Sequence, residues 1–87
     1  MLNPLRKKID KIDIKIAKYL CKRYKIVKEI AYIKQKNSIP VYNKQREQQH
    51  LQEVMNCCRG SQECKDYLHD IFKNIYNQSR NIQNPKK

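Results

Sequence analysis

Residues 5–34 read LRKKIDKIDIKIAKYLCKRYKIVKEIAYIK, and the fold turns on this stretch. Leu5, Ile9, Ile12, Ile16, Leu20, Val27 and Ile30 recur mostly at steps of three and four. At 100° per residue they fall within a stripe roughly 80° wide, the pattern of an amphipathic helix and not of a strand. Asn3 suits an N-cap, and Pro4 suits the first helical position, where a missing N–H is no loss. Neither glycine nor proline interrupts before Pro40, and the residue before a proline disfavours the α region. The spacing therefore predicts one helix over about 4–36, unbroken near Tyr24.

Such a helix is about 50 Å long. A compact domain of this chain's 87 residues has a radius of gyration of only about 12 Å. The rest of the chain is too short to cover the helix, so a partner chain is expected, and a symmetric homodimer is the commonest solution.

Downstream, Asn43 is the expected N-cap of a second helix over about 43–58. Leu51, Val54, Met55 and Cys58 give it a short apolar face, and Gly60 is its expected stop. A third helix over about 63–83 turns Leu68, Ile71, Phe72, Ile75 and Ile82 inward. Residues 84–87 read as a polar tail. The expectation is one all-α domain spanning 1–87, three helices per chain, in an intertwined homodimer.

Composition narrows the classes. There is one glycine and there are three prolines, which favours helices over sheets. No run of about 18 apolar residues is present, so no membrane span is expected. The first residues carry charge and not an apolar signal region, which points to the cytoplasm. The net charge of +12 draws anions, or simply solvates a lysine-rich face. Cys21, Cys57, Cys58 and Cys64 lack the paired spacing of a zinc site, and neither His50 nor His69 completes one. Free thiols, no metal and no cofactor are expected, with the clustered cysteines as small packing residues near a helix–helix turn.

Polar residues in apolar phase are the informative feature. The stripe of the first helix continues through Arg23 and Lys34, about 16 Å apart along the axis. Their long side chains can converge on a small ligand between them. Glu47 lies one turn before Leu51 on the inner side of the second helix. In the third helix the phase of Leu68, Phe72 and Ile75 continues to Ser79 and Gln83. Inward charges are expensive unless they pair or serve a site. One alternative is structural: Arg23 or Lys34 pairs with Glu47, or snorkels to the surface. Taken together, the five residues read as a site for a small anion that also carries a neutral hydrogen-bonding group.

The order of these residues resembles the all-helical chorismate mutases of the stand-alone, single-domain kind. The likeness begins at Leu5-Arg6-x-x-Ile9-Asp10-x-Ile12-Asp13 and runs through Arg23, Lys34, Pro40-Val41, Arg46-Glu47, Ser79 and Gln83. It implies two subunits wrapped around each other, two active sites, and rearrangement of chorismate to prephenate in phenylalanine and tyrosine biosynthesis. By the same likeness, Arg6 and Arg23 hold the two substrate carboxylates, with Arg6 reaching into the partner's site. Lys34 and Gln83 flank the ether oxygen. Glu47 accepts from the ring hydroxyl, and Asn43, Arg46 and Ser79 support. Two positions depart from the pattern: Asn43 stands where relatives carry Asp, and Tyr24 follows Arg23 where a second arginine is common.

The implied reaction is an intramolecular Claisen rearrangement. It calls for holding a flexible side chain over a ring and stabilising charge on the breaking ether oxygen. Planar, bidentate arginines suit the first task. A lysine and an uncharged amide suit the second. Three other readings remain, one of them a catalytically reduced regulatory or interaction subunit, against which the intact polar set argues. Isochorismate pyruvate lyase shares the cationic framework, but the expected lyase pattern lacks the glutamate of Arg46-Glu47. A basic nucleic-acid-binding dimer fits the charge, but the lysines ring the first helix instead of forming a stripe, and Arg23, Lys34 and Gln83 are left without a role. The expected partners are chorismate and a second copy, with neither nucleic acid nor membrane.

Overall fold

The computed structural model describes residues 1–84, and within them the chain is three α-helices: α1 (Leu2–Lys36), α2 (Lys44–Asn56) and α3 (Gln62–Gln83). Residues 85–87 of the expected tail lie outside the described residues. No strand occurs among the described residues. None of the described helices is long and apolar enough to cross a membrane.

α1 runs unbroken for 35 residues, but it starts two residues earlier than the capping reading has it. Met1 stands at the N-cap without a side-chain hydrogen bond, and Asn3 and Pro4 fall inside the first turn. The first four N–H groups of any helix lack intrahelical partners, so a proline is tolerated throughout that turn.

The other end of α1 closes tightly. Ile39 N–H donates to the Lys34 carbonyl at 2.8 Å, and Ser38 N–H donates to the Gln35 carbonyl at 3.4 Å. Together these form the paired bonds of a Schellman turn, and Ser38 takes the left-handed position with φ of 54°. Its geometry turns the chain back along α1, so that the Lys34 Nζ donates to the Val41 carbonyl at 2.8 Å.

Asn43 does cap α2: its Oδ1 accepts from Arg46 N–H at 3.0 Å. Glu47 lies in the first turn, where the helix dipole favours an anion. Gly60 is not the stop expected of it. α2 ends at Asn56 with Cys57 in the right-handed region, and Gly60 has no positive φ. Space explains the glycine instead: a Cβ there would meet Cys64 Cβ at 3.0 Å and Cys64 Sγ at 3.2 Å. The Cys58 and Cys64 sulfurs approach to 3.4 Å at this turn, and all four cysteines are free thiols. Ser61 caps α3, accepting from Cys64 N–H at 3.2 Å.

α3 is the shared element, packing on both α1 and α2. The molecule measures 54 × 25 × 21 Å with a radius of gyration of 15.9 Å. That is well above the value for a compact chain of this length. Only Val27 and Tyr76 among the described apolar side chains are buried. Leu5, Ile9, Ile12, Ile16 and Leu20 all remain exposed, from 60% at Leu5 to 44% at Leu20. The stripe that defines α1 is thus covered by α3 only towards its C-terminal end.

Candidate active site

The covered end of α1 is where its period switches from apolar to polar side chains. Arg23 and Lys34 lie on the same face as Val27, the most buried residue of the helix. α3 brings Tyr76, Ser79, Arg80 and Gln83 against that face, and α2 adds Arg46, Glu47 and His50. They enclose a pocket of about 270 Å³, whose apolar wall is Val27, Ile30 and Val41.

Seven of the eight residues singled out in the sequence line this pocket: Arg23, Lys34, Asn43, Arg46, Glu47, Ser79 and Gln83. Arg6 does not. It is exposed, 17 residues before Arg23 on the same helix, which places it about 25 Å away along the axis.

Each polar group has a definite tie. Arg23 donates through Nη1 to Ser79 Oγ, and that hydroxyl donates in turn to the Ile75 carbonyl at 2.8 Å. Ser79 is 8% exposed, so this chain of bonds fixes the inner end of the Arg23 side chain. Gln83 Nε2 donates to the Ser79 carbonyl at 3.2 Å. The buried Gln83 Oε1 has no partner among the described residues. An unmet buried acceptor is costly in a closed protein and awaits a donor.

Glu47 pairs with neither Arg23 nor Lys34. Its two oxygens each sit 2.5 Å from Arg80 Nη1, in an ion pair from α2 to α3. The Arg80 guanidinium also lies 4.9 Å over the Tyr42 ring, a cation–π contact. His50 Nδ1 is 2.6 Å from Tyr76 OH, with the two rings edge to face at 5.6 Å. Burial, helped by the charges of Arg46 and Arg23 and opposed by Glu53, pushes His50 below its usual 6.5. Burial also pushes the Tyr76 phenol up, with Glu47 acting in the same sense and Arg23 against it. The His50–Tyr76 bond therefore joins two neutral groups at neutral pH.

Arg80, Tyr76 and His50 are the lining residues that sequence reasoning missed. Tyr76 and Arg80 follow Phe72 at steps of four, and so belong to the inner face; taking Ile75 as the phase marker hides them. An inward Glu47 also calls for a cation, and Arg80 is the arginine of α3.

The charge balance is one-sided. Arg23, Lys34, Arg46 and Arg80 face a single carboxylate, Glu47. Arg80 is committed to it, and no ion pair engages the other three cations among the described residues. Arg23 has five N–H donors, of which Ser79 takes one; Lys34 has three, of which Val41 takes one. The remainder can hold a small molecule with more than one carboxylate. Fold and pocket together give a helical scaffold that gathers four cations, one carboxylate and an amide around one cavity.

Comparison with known proteins makes the class specific. The family model for chorismate mutase type II matches residues 5–84. A chorismate mutase of Methanocaldococcus jannaschii is 32% identical over 74 residues, which are 85% of this chain and 67% of that protein. This chain belongs to the type II chorismate mutase family, a family of isomerases.

Proposed function

We propose that this chain rearranges chorismate to prephenate in a site completed by a second copy. The single observation that carries the reading is the pocket between α1 and α3. It sets Arg23, Lys34 and Arg46, none of them in an ion pair among the described residues, beside the Gln83 amide, whose Nε2 keeps a second N–H after donating to the Ser79 carbonyl. Chorismate is a dianion with a ring hydroxyl and an ether oxygen, and those groups match that set.

In this reading Arg23, braced by Ser79, binds one carboxylate through its free guanidinium edge. Arg46 lends positive potential at the mouth, and Asn43 caps the helix that carries Glu47. Glu47 accepts from the ring hydroxyl. Lys34 and the Gln83 amide N–H point at the ether oxygen, where negative charge grows as the C–O bond breaks. Electrons move within one molecule, and the side chains act by holding a reactive pose and by meeting that charge.

The second carboxylate falls to Arg6 of another copy. Support comes from the apolar groove that continues from the pocket between α1 and α3. It has a volume of about 400 Å³, it is lined by Ile16, Leu20, Ile71, Ile75 and Ile82, and it shares Arg23 and Ser79 with the pocket. A second α1 carries a matching stripe, Leu5 to Leu20, that its own chain leaves bare. A contiguous apolar stripe of this kind marks a surface that another chain covers. Laid in the groove about a two-fold axis, each α1 brings its N-terminal arginine to its partner's pocket.

The test is loss of chorismate absorbance with the product identified, followed by mixing two inactive variants. Arg6→Ala and Lys34→Ala break different contributions to the site. In a mixed dimer one of the two sites receives both intact residues, and activity returns. Prephenate from the wild type with no rescue, despite proven subunit exchange, would remove the shared site. Pyruvate released from isochorismate, with no prephenate, would transfer the chain to the lyase reading.

A further inference from the structure

Glu47 has a problem that its neighbours create. It is the one carboxylate lining the pocket, and Arg23, Lys34 and Arg46 line the same space without acid partners. A mobile glutamate would swing towards them and occupy the places meant for substrate carboxylates. It would also repel an incoming dianion.

Arg80 removes both faults. Its Nη1 sits 2.5 Å from each Glu47 oxygen, so the carboxylate is gripped symmetrically from α3. Tyr42 supports the guanidinium from beneath, with the ring centre 4.9 Å away. The side chains of Arg80 and Glu47 are only 31% and 24% exposed, so water does not easily dissolve the pair. A carboxylate offers about four lone-pair sites. One nitrogen placed between the oxygens uses the inner two and leaves the outer two for another donor.

We propose that Arg80 is a positioning residue that presents Glu47 to the ring hydroxyl of the substrate, and so sets how strongly the enzyme prefers molecules that carry that hydroxyl. The inference rests on the chorismate reading above. Arg80 does not touch the substrate; it acts by holding an acceptor fixed and neutralised. A preorganised acceptor discriminates strongly, because a molecule lacking the hydroxyl leaves it unpaired.

The experiment compares chorismate with an analogue in which hydrogen replaces the ring hydroxyl. Values of kcat/KM are measured for the wild type, Arg80→Met, Glu47→Gln and the double variant. Arg80→Met is expected to lower kcat/KM for chorismate about tenfold to a hundredfold, the usual effect of losing one charge-assisted contact. For the analogue the same change is expected to stay within about threefold, and the double variant is expected to be no worse than Glu47→Gln. Equal losses on both substrates would mean that Arg80 binds a substrate carboxylate, and would overturn the proposal. Unchanged discrimination, or additive losses in the double variant, would overturn it as well. Circular dichroism checks folding. Should Arg80→Met not fold, Arg80→Lys carries the test: it keeps the charge but loses the planar stack on Tyr42, and its discrimination is expected to fall between wild type and Glu47→Gln. A wild type that converts neither molecule to a prephenate-type product would sink the functional reading itself, a result distinct from a working enzyme indifferent to Arg80.

Discussion

The two halves of α1 share one period and nearly one composition, yet the chain treats them differently. From Leu5 to Leu20 every in-phase residue is apolar, and every one is exposed. From Arg23 to Lys34 the phase sets two apolar residues, Val27 and Ile30, between two cations, and here Val27 is buried while Arg23 and Lys34 are half-buried. Apolar surface that a chain leaves bare over several turns is built for another surface. Cations that a chain draws inward without acids are built for an anion. The first half is read as assembly, the second as chemistry, and a single rigid rod couples them.

The largest effect is expected where the two tasks meet. Ile12→Glu sets a charge in the middle of the bare stripe, and a two-fold interface suffers it twice. Light scattering should find no dimer, and chorismate consumption should vanish although no pocket residue has changed. A fully active dimer would break the comparison outright. Next in size is Lys34→Ala, which should leave assembly intact. Its contact strengthens in the transition state, so kcat should fall about a hundredfold or more while KM moves little. A variant that loses binding but keeps turnover would reassign Lys34 from the reacting atoms to a carboxylate.

A smaller effect concerns pH. His50 has a folded pKa below the unfolded value, so it contributes stability that is present above about pH 6.5 and is lost as pH falls through the folded pKa. The thermal midpoint of the wild type should drop between about pH 7 and pH 5 more steeply than that of His50→Gln. Parallel curves would mean that the histidine is not held neutral by its surroundings. The smallest effect is a gain. Ser38→Gly relieves a left-handed position at the end of α1 and should add about 0.5–1 kcal/mol in urea unfolding. Turnover should be unchanged, because the Schellman turn and its hold on Val41 survive.

Much of this molecule was legible in its residues. The long helix and five of the pocket residues, Arg23, Lys34, Glu47, Ser79 and Gln83, follow from period and phase, because side-chain direction along a helix is fixed by 100° steps; Asn43 follows from cap chemistry, and Arg46 from the family resemblance alone. The same logic misjudged Gly60. A glycine after a helix reads as a left-handed cap, whereas here it makes room for Cys64, a contact between two elements that no local rule contains. The structural alternative for Glu47, a pairing with Arg23 or Lys34, fails for the same kind of reason. Arg23 and Lys34 are inward cations in phase, but α3 delivers Arg80 closer, and the pairing is decided by which helices touch.

The sequence by itself determined the helices, the bare stripe and the direction of the polar residues, since each depends on neighbours three or four positions away. Only the tertiary structure decided that those residues share one pocket, that Arg80 holds Glu47, that His50 meets Tyr76, and that Arg6 stands apart from the pocket of its own chain. These facts depend on distances between helices, and periodicity along one helix carries no information about the next.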